Sequence, residues 1–295
     1  MRPQGRFGPW LLAVRPATLT AAVAPVIVGS ATAARAGSFH LLPALSALCV
    51  ALCVQIGTNL TNDAFDFLHG ADPPSRRGPP RVTATGLLPA DRVLRGAYVS
   101  FLLAGLAGLY VVALRGYLAL LVGAACILAG WAYTAGPLRL GYRGLGEVLV
   151  FVFFGLVAVA GTDAVQTGAV RPEALAAAVP VGFVCTAILV VNNLRDVDTD
   201  RATGKRTLAV RLGPQAARVE YLLLIVGALA GPVGMRWAGW AGEWFWTPWL
   251  LLPWAVRLVR TVWTREDGPA LNGALRSTAQ FHFAYAVLLA LAILA

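Results

Sequence analysis

Apolar residues gather into nine long runs, at about 10–33, 41–62, 96–114, 117–135, 146–164, 174–193, 219–236, 245–262 and 279–295, with mostly short polar connections between them. An α-helix crosses the hydrocarbon core of a bilayer with about 20 predominantly apolar residues. In lipid every backbone polar group must be bonded internally, which a helix does within one segment. The pattern therefore predicts an all-α integral membrane protein of about nine transmembrane helices, a single polytopic domain over 1–295. Two connections are long and polar, about 63–95 and 194–218, and they hold most of the chemistry.

Composition agrees with the pattern. Of 295 residues, 58% are hydrophobic and 13% charged, and the mean hydropathy of +0.69 is well outside the range of soluble domains. The first run contains Arg15 and Pro16 and shows no convincing small-residue cleavage site, so it reads as a retained span and not as a signal peptide. Counting alternate connections puts twenty of the 24 basic residues on one side, among them Arg2, Arg6 and Arg15, leaving Arg35, Arg115, Arg171 and Arg236 opposite. The positive-inside rule then predicts a cytoplasmic N-terminus and a C-terminus across the membrane. The net charge of +10 is mostly topology, and without basic-aromatic interleaving it calls for no nucleic-acid partner. Cys49, Cys53, Cys126 and Cys185 fall inside spans and read as small packing residues, while His40, His69 and His282 are scattered and suggest no metal cluster. Trp237, Trp240, Trp244, Trp246 and Trp249 read as an interfacial belt.

The polar connections begin alike. "NLTND" puts Asn59 four residues before Asp63, and "NNLRD" puts Asn192 four residues before Asp196. Asp66 and Asp200 follow three and four residues later, on the same helical face. The motifs lie 133 residues and four spans apart, which suggests two pseudo-repeated four-helix halves plus a ninth helix, with a site between the halves. Each motif closes a helix at its C-terminal end, where the macrodipole disfavours a carboxylate by about 0.3–1 kcal/mol. A hard cation relieves both that penalty and the mutual repulsion, and oxygen-only ligands suit magnesium. Arg76, Arg77 and Arg81 follow the first motif as Arg201, Lys205 and Arg206 follow the second, and guanidinium forks pair with phosphate oxygens. Two carboxylate clusters with two basic clusters make a diphosphate site. Ordinary interfacial loops, with acids and bases pairing in water for less than about 1 kcal/mol per pair, would account for one such motif more readily than for two.

"NLTNDAFDFLHGAD" with "RRGPPRVTATGLLP" resembles the first aspartate-rich motif of the UbiA superfamily of intramembrane prenyltransferases, and "NNLRDVDTDRATGKRTLAVRLG" resembles the second. "RPATLTAAVAPVIVGSA" and "YTAGPLRLGYRGLGE" are most similar to the 1,4-dihydroxy-2-naphthoate polyprenyltransferase branch. The resemblance runs from residue 15 to about 213 and implies a helical bundle around a central cavity. It implies magnesium-dependent transfer of a polyprenyl group from an allylic diphosphate to 1,4-dihydroxy-2-naphthoate, with loss of carbon dioxide and diphosphate, giving demethylmenaquinol. The setting would be a bacterial cell membrane, with the site facing the cytoplasm and two magnesium ions bridging the diphosphate.

Candidate ligands of the magnesium-diphosphate unit are Asp63, Asp66, Asp72, Asp196 and Asp200, while Asp198 turns about 200° away if the helix continues. Candidate phosphate contacts are Arg77, Arg81, Arg139, Lys205 and Arg206. For the acceptor, Arg15 and Asn62 form a candidate pair, although Arg15 reads equally as a residue snorkelling to the interface. Asn59 and Asn192 either serve the site or bond across helices. Tyr133 offers an aromatic face to a passing carbocation or an interfacial anchor. Glu147 reads as a structural partner of Arg143 at i, i+4. Competing expectations are another acceptor such as 4-hydroxybenzoate or homogentisate, a CDP-alcohol phosphotransferase, whose longer signature is absent, and a secondary transporter, whose site would lie nearer the midplane.

Overall fold

The computed structural model describes residues 8–73 and 76–295; Arg2 and Arg6 of the charge count lie outside them. The described residues contain helices and no strands. Each of the nine apolar runs is helical. Seven helices are long and apolar enough to cross a membrane: Pro16–Arg35 (α2), Leu41–Leu68 (α3), Ala90–Arg115 (α4), Gly146–Thr167, Pro172–Arg195 (α8), Pro214–Trp237 (α11) and Gly268–Leu294 (α13). The fourth and eighth runs form shorter helices, Tyr117–Ala132 (α5) and Leu252–Thr264 (α12). Gly116, at φ 74°, turns α4 directly into α5. Pro248 and Pro253 confine the start of the eighth run to a 3₁₀ turn, Thr247–Leu251, ahead of α12.

The first run is not one helix. Gly8–Val14 (α1) ends before Arg15, and α2 starts at Pro16. Proline disfavours helical geometry in the residue before it, and Arg15 takes the left-handed region at φ 55°. The expected fifth span also has internal structure: Gly146–Val150 (α6) passes through a π-helical segment, Phe151–Val157, into Ala158–Thr167 (α7). There Gly155 meets Gly182 of α8, where an added Cβ would lie 2.7 Å from the Gly182 Cα. The two backbones touch because neither carries a side chain, as close membrane-helix packing requires.

Helix α3 pairs closely with α4, and α8 with α11, and α13 closes the bundle against α2 and α8. The main core gathers around α8, with Val181, Val184 and Val190 packed among Val28, Ile225, Phe281 and Leu289. A smaller cluster, Leu60, Val82, Val93 and Phe101, joins α3 and α4 to the loop between them. One buried polar lock was not anticipated: Asp163 of α7 is fully buried, paired with Arg171 and accepting from Thr32 Oγ1 of α2 at 2.8 Å. Trp237, Trp244, Trp246 and Trp249 are exposed at the opposite end from the aspartate motifs.

Candidate active site

Helix α3 continues past its apolar run to Leu68, so Asn59, Asn62, Asp63 and Asp66 sit on successive turns of one helix. Their surroundings differ. Asp63 anchors the following loop, its carboxylate accepting from the Thr83 N–H (3.0 Å), the Thr83 hydroxyl (2.6 Å) and the Val82 N–H (3.3 Å). Asp66 faces inward and accepts from Arg81 Nη2 at 2.9 Å and from the Tyr142 hydroxyl at 2.7 Å. Asp72 pairs with Arg76 Nε at 2.9 Å and Arg81 Nε at 3.5 Å. Burial, with Asp66 nearby, pushes the Asp72 carboxyl up to about 7 against the opposing charge of Arg76.

The second motif closes α8 and turns into Val197–Ala202 (α9), ahead of the short helix Leu208–Leu212 (α10). Arg195 is almost fully buried; its Nε donates to Asp196 Oδ1 at 2.8 Å and Nη2 to Asp196 Oδ2, while its other contacts are Asn192 Oδ1 (2.9 Å) and Asn272 Oδ1 of α13 (2.8 Å). Asp200 lies 3.8 Å from Lys205 Nζ, and burial pushes its carboxyl up to about 6 despite that lysine. Asp198 is exposed and pairs with Arg77 at 3.2 Å.

The two motifs meet. Burial alone would lower the Lys205 ammonium, but Asp66 from one motif and Asp200 and Asp196 from the other outweigh it and hold the group above its ordinary value. Lys205 Nζ sits 5.2 Å from the centre of the Tyr142 ring, whose hydroxyl binds Asp66. Asn272 Nδ2 donates to the Arg77 carbonyl at 2.9 Å, tying the first loop to the start of α13.

A cavity of 1150 Å³ opens from this cluster into the bundle. Asp66, Arg76, Arg81, Arg195 and Lys205 line its polar end. Val54, Cys126, Phe153, Phe154 and Ile188 line the body, and Arg115 the far end. Along α3 its wall runs from Asp66 to Ala47, about 28 Å at 1.5 Å per residue. Tyr133 faces the cavity, seated over Gly141 and Gly146, where an added Cβ would lie 2.7 Å from its ring and 2.8 Å from its hydroxyl.

Several expected residues sit elsewhere. Arg77, Arg139 and Arg206 are exposed and do not line the cavity. Arg206 uses its backbone N–H on the Tyr142 carbonyl at 2.9 Å, which sends its side chain outward. Asn59 bonds across helices, to Val14 O (2.9 Å) and Thr18 Oγ1 (3.0 Å), and so braces the α1–α2 break. Arg15 at that break lines the cavity and lies 3.9 Å from Asp63. Asn62 accepts from Thr134 at 2.8 Å. Glu147 is not paired with Arg143: that guanidinium donates to Pro137 O at 3.1 Å, and buried Glu147 accepts from Asn193 Nδ2 at 2.8 Å. Tyr142, Arg195 and Asn193 are site residues that the sequence reading passed over, although each lies inside a motif quoted for the resemblance.

Among the described residues, no three His, Cys, Asp or Glu side chains close on a single point. Each carboxylate is instead balanced by a neighbouring cation or loop donor. The donor chemistry still suits magnesium, which keeps several waters and takes one or two carboxylates besides substrate phosphates. Asp72 Oδ2 and Asp200 Oδ2 are buried without a hydrogen-bond partner, a costly state that a cation would relieve.

The family model for the UbiA prenyltransferase family matches residues 22–281. The chain belongs to that family. Two relatives, both called 1,4-dihydroxy-2-naphthoate octaprenyltransferase, are 40% identical in Mycobacterium leprae (92% of this chain, 91% of the relative) and 39% identical in Mycobacterium tuberculosis (92% of each). The solved structure of a UbiA homolog from Archaeoglobus fulgidus, bound to DMAPP and Mg2+, superposes with a TM-score of 0.65 at 14% identity, covering 95% of this chain and 98% of that one. At that identity the likeness establishes the UbiA fold.

Proposed function

We propose that this UbiA-family enzyme transfers a polyprenyl group from an allylic diphosphate to 1,4-dihydroxy-2-naphthoate, releasing diphosphate and carbon dioxide and yielding demethylmenaquinol. The observation that carries the reading is the cavity, with Asp66, Arg76 and Arg81 of the first motif and Arg195 and Lys205 of the second at one end and an apolar body long enough for an isoprenoid. The names of relatives at 39–40% identity over nine-tenths of the chain support the choice of acceptor.

Asp66, Asp72, Asp196 and Asp200 would hold magnesium, two ions in this reading, with Asp63 fixing the loop that carries Arg81. Bound there, magnesium supplies Lewis-acid stabilisation of the departing diphosphate. Arg81 and Lys205 sit in the cavity wall at the same end, prepositioned for charge that develops on the leaving group. Tyr133 presents its ring to the allylic cation. The apolar walls keep water from that cation. Arg15 at the helix break faces the cavity as a counter-ion for the naphthoate carboxylate, and Asn62 borders the same space. In this reading all nine helices cross a bacterial cell membrane, with the motif end toward the cytoplasm. The test is mass spectrometry of products formed from purified protein, magnesium, a polyprenyl diphosphate and a panel of aromatic acids. Prenylated, decarboxylated naphthoquinol supports the reading, and product from 4-hydroxybenzoate alone overturns the acceptor.

A further inference from the structure

Buried Glu147 and Asn193 are used neither by the metal-diphosphate cluster nor by any packing lock between distant helices. Glu147, in the first turn of α6, is 6% exposed, and Asn193 of α8 is 3% exposed and lines the cavity. Asn193 Nδ2 donates to Glu147 Oε1 at 2.8 Å. An ionised carboxylate only accepts, so Glu147 in that form fixes which way the asparagine amide points. Its NH2 is turned to Glu147, and its Oδ1 receives no hydrogen bond from any described residue, although it is not among the sealed polar atoms.

The other asparagines along the cavity are engaged differently, and the one unpartnered amide besides them among the described residues, Gln55, lies more than two helical turns deeper than Asp63, away from the diphosphate end. Asn59 spends its NH2 on Val14 and Thr18, Asn62 accepts from Thr134, and Asn192 accepts from Arg195. Asn193 alone among these asparagines presents an acceptor oxygen while its NH2 is held by a buried carboxyl. It stands one helical turn before Asp196, where an acceptor ring must come to meet the allylic carbon.

We propose that Asn193 Oδ1 accepts a hydrogen bond from a ring hydroxyl of the aromatic acceptor, and that Glu147 is the positioning residue that fixes the amide in that sense. The assignment rests on the transferase reading above and names the contact that selects a hydroxylated aromatic. Accepting the hydroxyl proton's hydrogen bond enriches the ring in electrons as it takes up the allylic cation, so the contact strengthens on the way to the transition state.

The test is steady-state kinetics of folded, detergent-purified protein with each substrate varied in turn. Glu147→Gln, at unchanged volume, gives residue 147 a donor as well as an acceptor, and wherever its NH2 donates to Asn193 Oδ1 the asparagine NH2 turns toward the cavity. The expected result is a fall in kcat/KM for the acceptor of about tenfold, the scale of one misdirected hydrogen bond, with the KM for the prenyl diphosphate within about twofold of wild type. The double variant E147Q/N193D restores an oxygen to the cavity and is expected to recover acceptor kcat/KM. A purely structural pair is equally satisfied by glutamine, so wild-type kinetics in E147Q overturn the proposal, as does an equal loss for both substrates or a double variant that recovers nothing. With wild-type protein, methylation of each ring hydroxyl of the acceptor in turn gives a measurement free of folding effects. Loss of about tenfold for one ether supports the contact, and full activity for both overturns it. A wild-type protein that prenylates no aromatic acid defeats the transferase reading instead.

Discussion

Arg81 bridges two acids of the first motif. Its side chain is 9% exposed and those of Asp66 and Asp72 are 4% and 2%, so water hardly screens the three charges. Arg81→Ala removes the 2.9 Å bond to Asp66 and leaves two buried carboxylates facing one another, with Asp66 already raising the proton affinity of Asp72. Breaking a buried pair by deleting one partner costs about 3–5 kcal/mol. A cation that binds both carboxylates recovers part of that, so added magnesium is expected to raise the melting temperature of the variant more than that of wild type. The catalytic effect is separate. Deleting one preorganised donor to a developing oxyanion costs about 10²–10³ in rate, so kcat/KM for the prenyl diphosphate is expected to fall by about 100-fold even at saturating magnesium. Exposed Arg139, outside the cavity, is the control, and Arg139→Ala should stay within about twofold of wild type. A melting curve and donor kinetics for Arg81→Ala that match wild type would refute the argument, because they would mean that neither the carboxylates nor the diphosphate depends on this guanidinium.

The carboxyls of Asp72 and Asp200, pushed up to about 7 and about 6, hold protons that a metal must displace. Apparent magnesium affinity, measured by the stabilisation it gives, should therefore rise between about pH 5.5 and 7.5, by at most about tenfold per unit for each proton released; a flat profile would contradict those assignments. Gly161 lines the cavity roughly 18 Å along its helix from Leu149, and an added Cβ there meets nothing within 4 Å. Gly161→Phe should fill that space and lower activity with long prenyl diphosphates relative to farnesyl diphosphate, and an unchanged ratio would show that the tail takes another route. Asp163→Ala strands Arg171 and removes the tie to α2, so the purified protein should lose about 3 kcal/mol of stability, while the folded fraction keeps its kcat/KM; lost activity in a stable protein would place Asp163 in function.

The hydrophobic pattern made the helices legible because each run had to satisfy its own backbone. It could not show the break at Arg15, which follows from Pro16 inside an otherwise apolar run, or the shortening of the eighth run, which follows from Pro248 and Pro253. Spacing brought Asp63 and Asp66 to one helix, but the loop fold decided that Asp63 would bind Thr83 while Asp66 faced the cavity. Partners far apart in the chain stayed hidden. Tyr142 is 76 residues from Asp66, and Asn272 of α13 reaches the Arg195 fork from a stretch with no signature. Asp163 did leave a signal, a lone carboxylate inside an apolar run, which is costly enough to demand a partner. Glu147 was misassigned because i, i+4 spacing implies a neighbour only when both residues share a helix, and Arg143 belongs to the 3₁₀ turn before α6.

In the proposed enzyme, acids from both motifs share one metal-diphosphate site. Manganese substitutes for magnesium and scatters anomalously, so a structure with manganese and an inert prenyl thiodiphosphate tests it most directly. The account predicts ions and diphosphate lodged between Asp66 and Asp72 on one side and Asp196 and Asp200 on the other, with the tail in the cavity beneath Tyr133. Metal bound to one motif alone, or diphosphate outside that cavity, would contradict it.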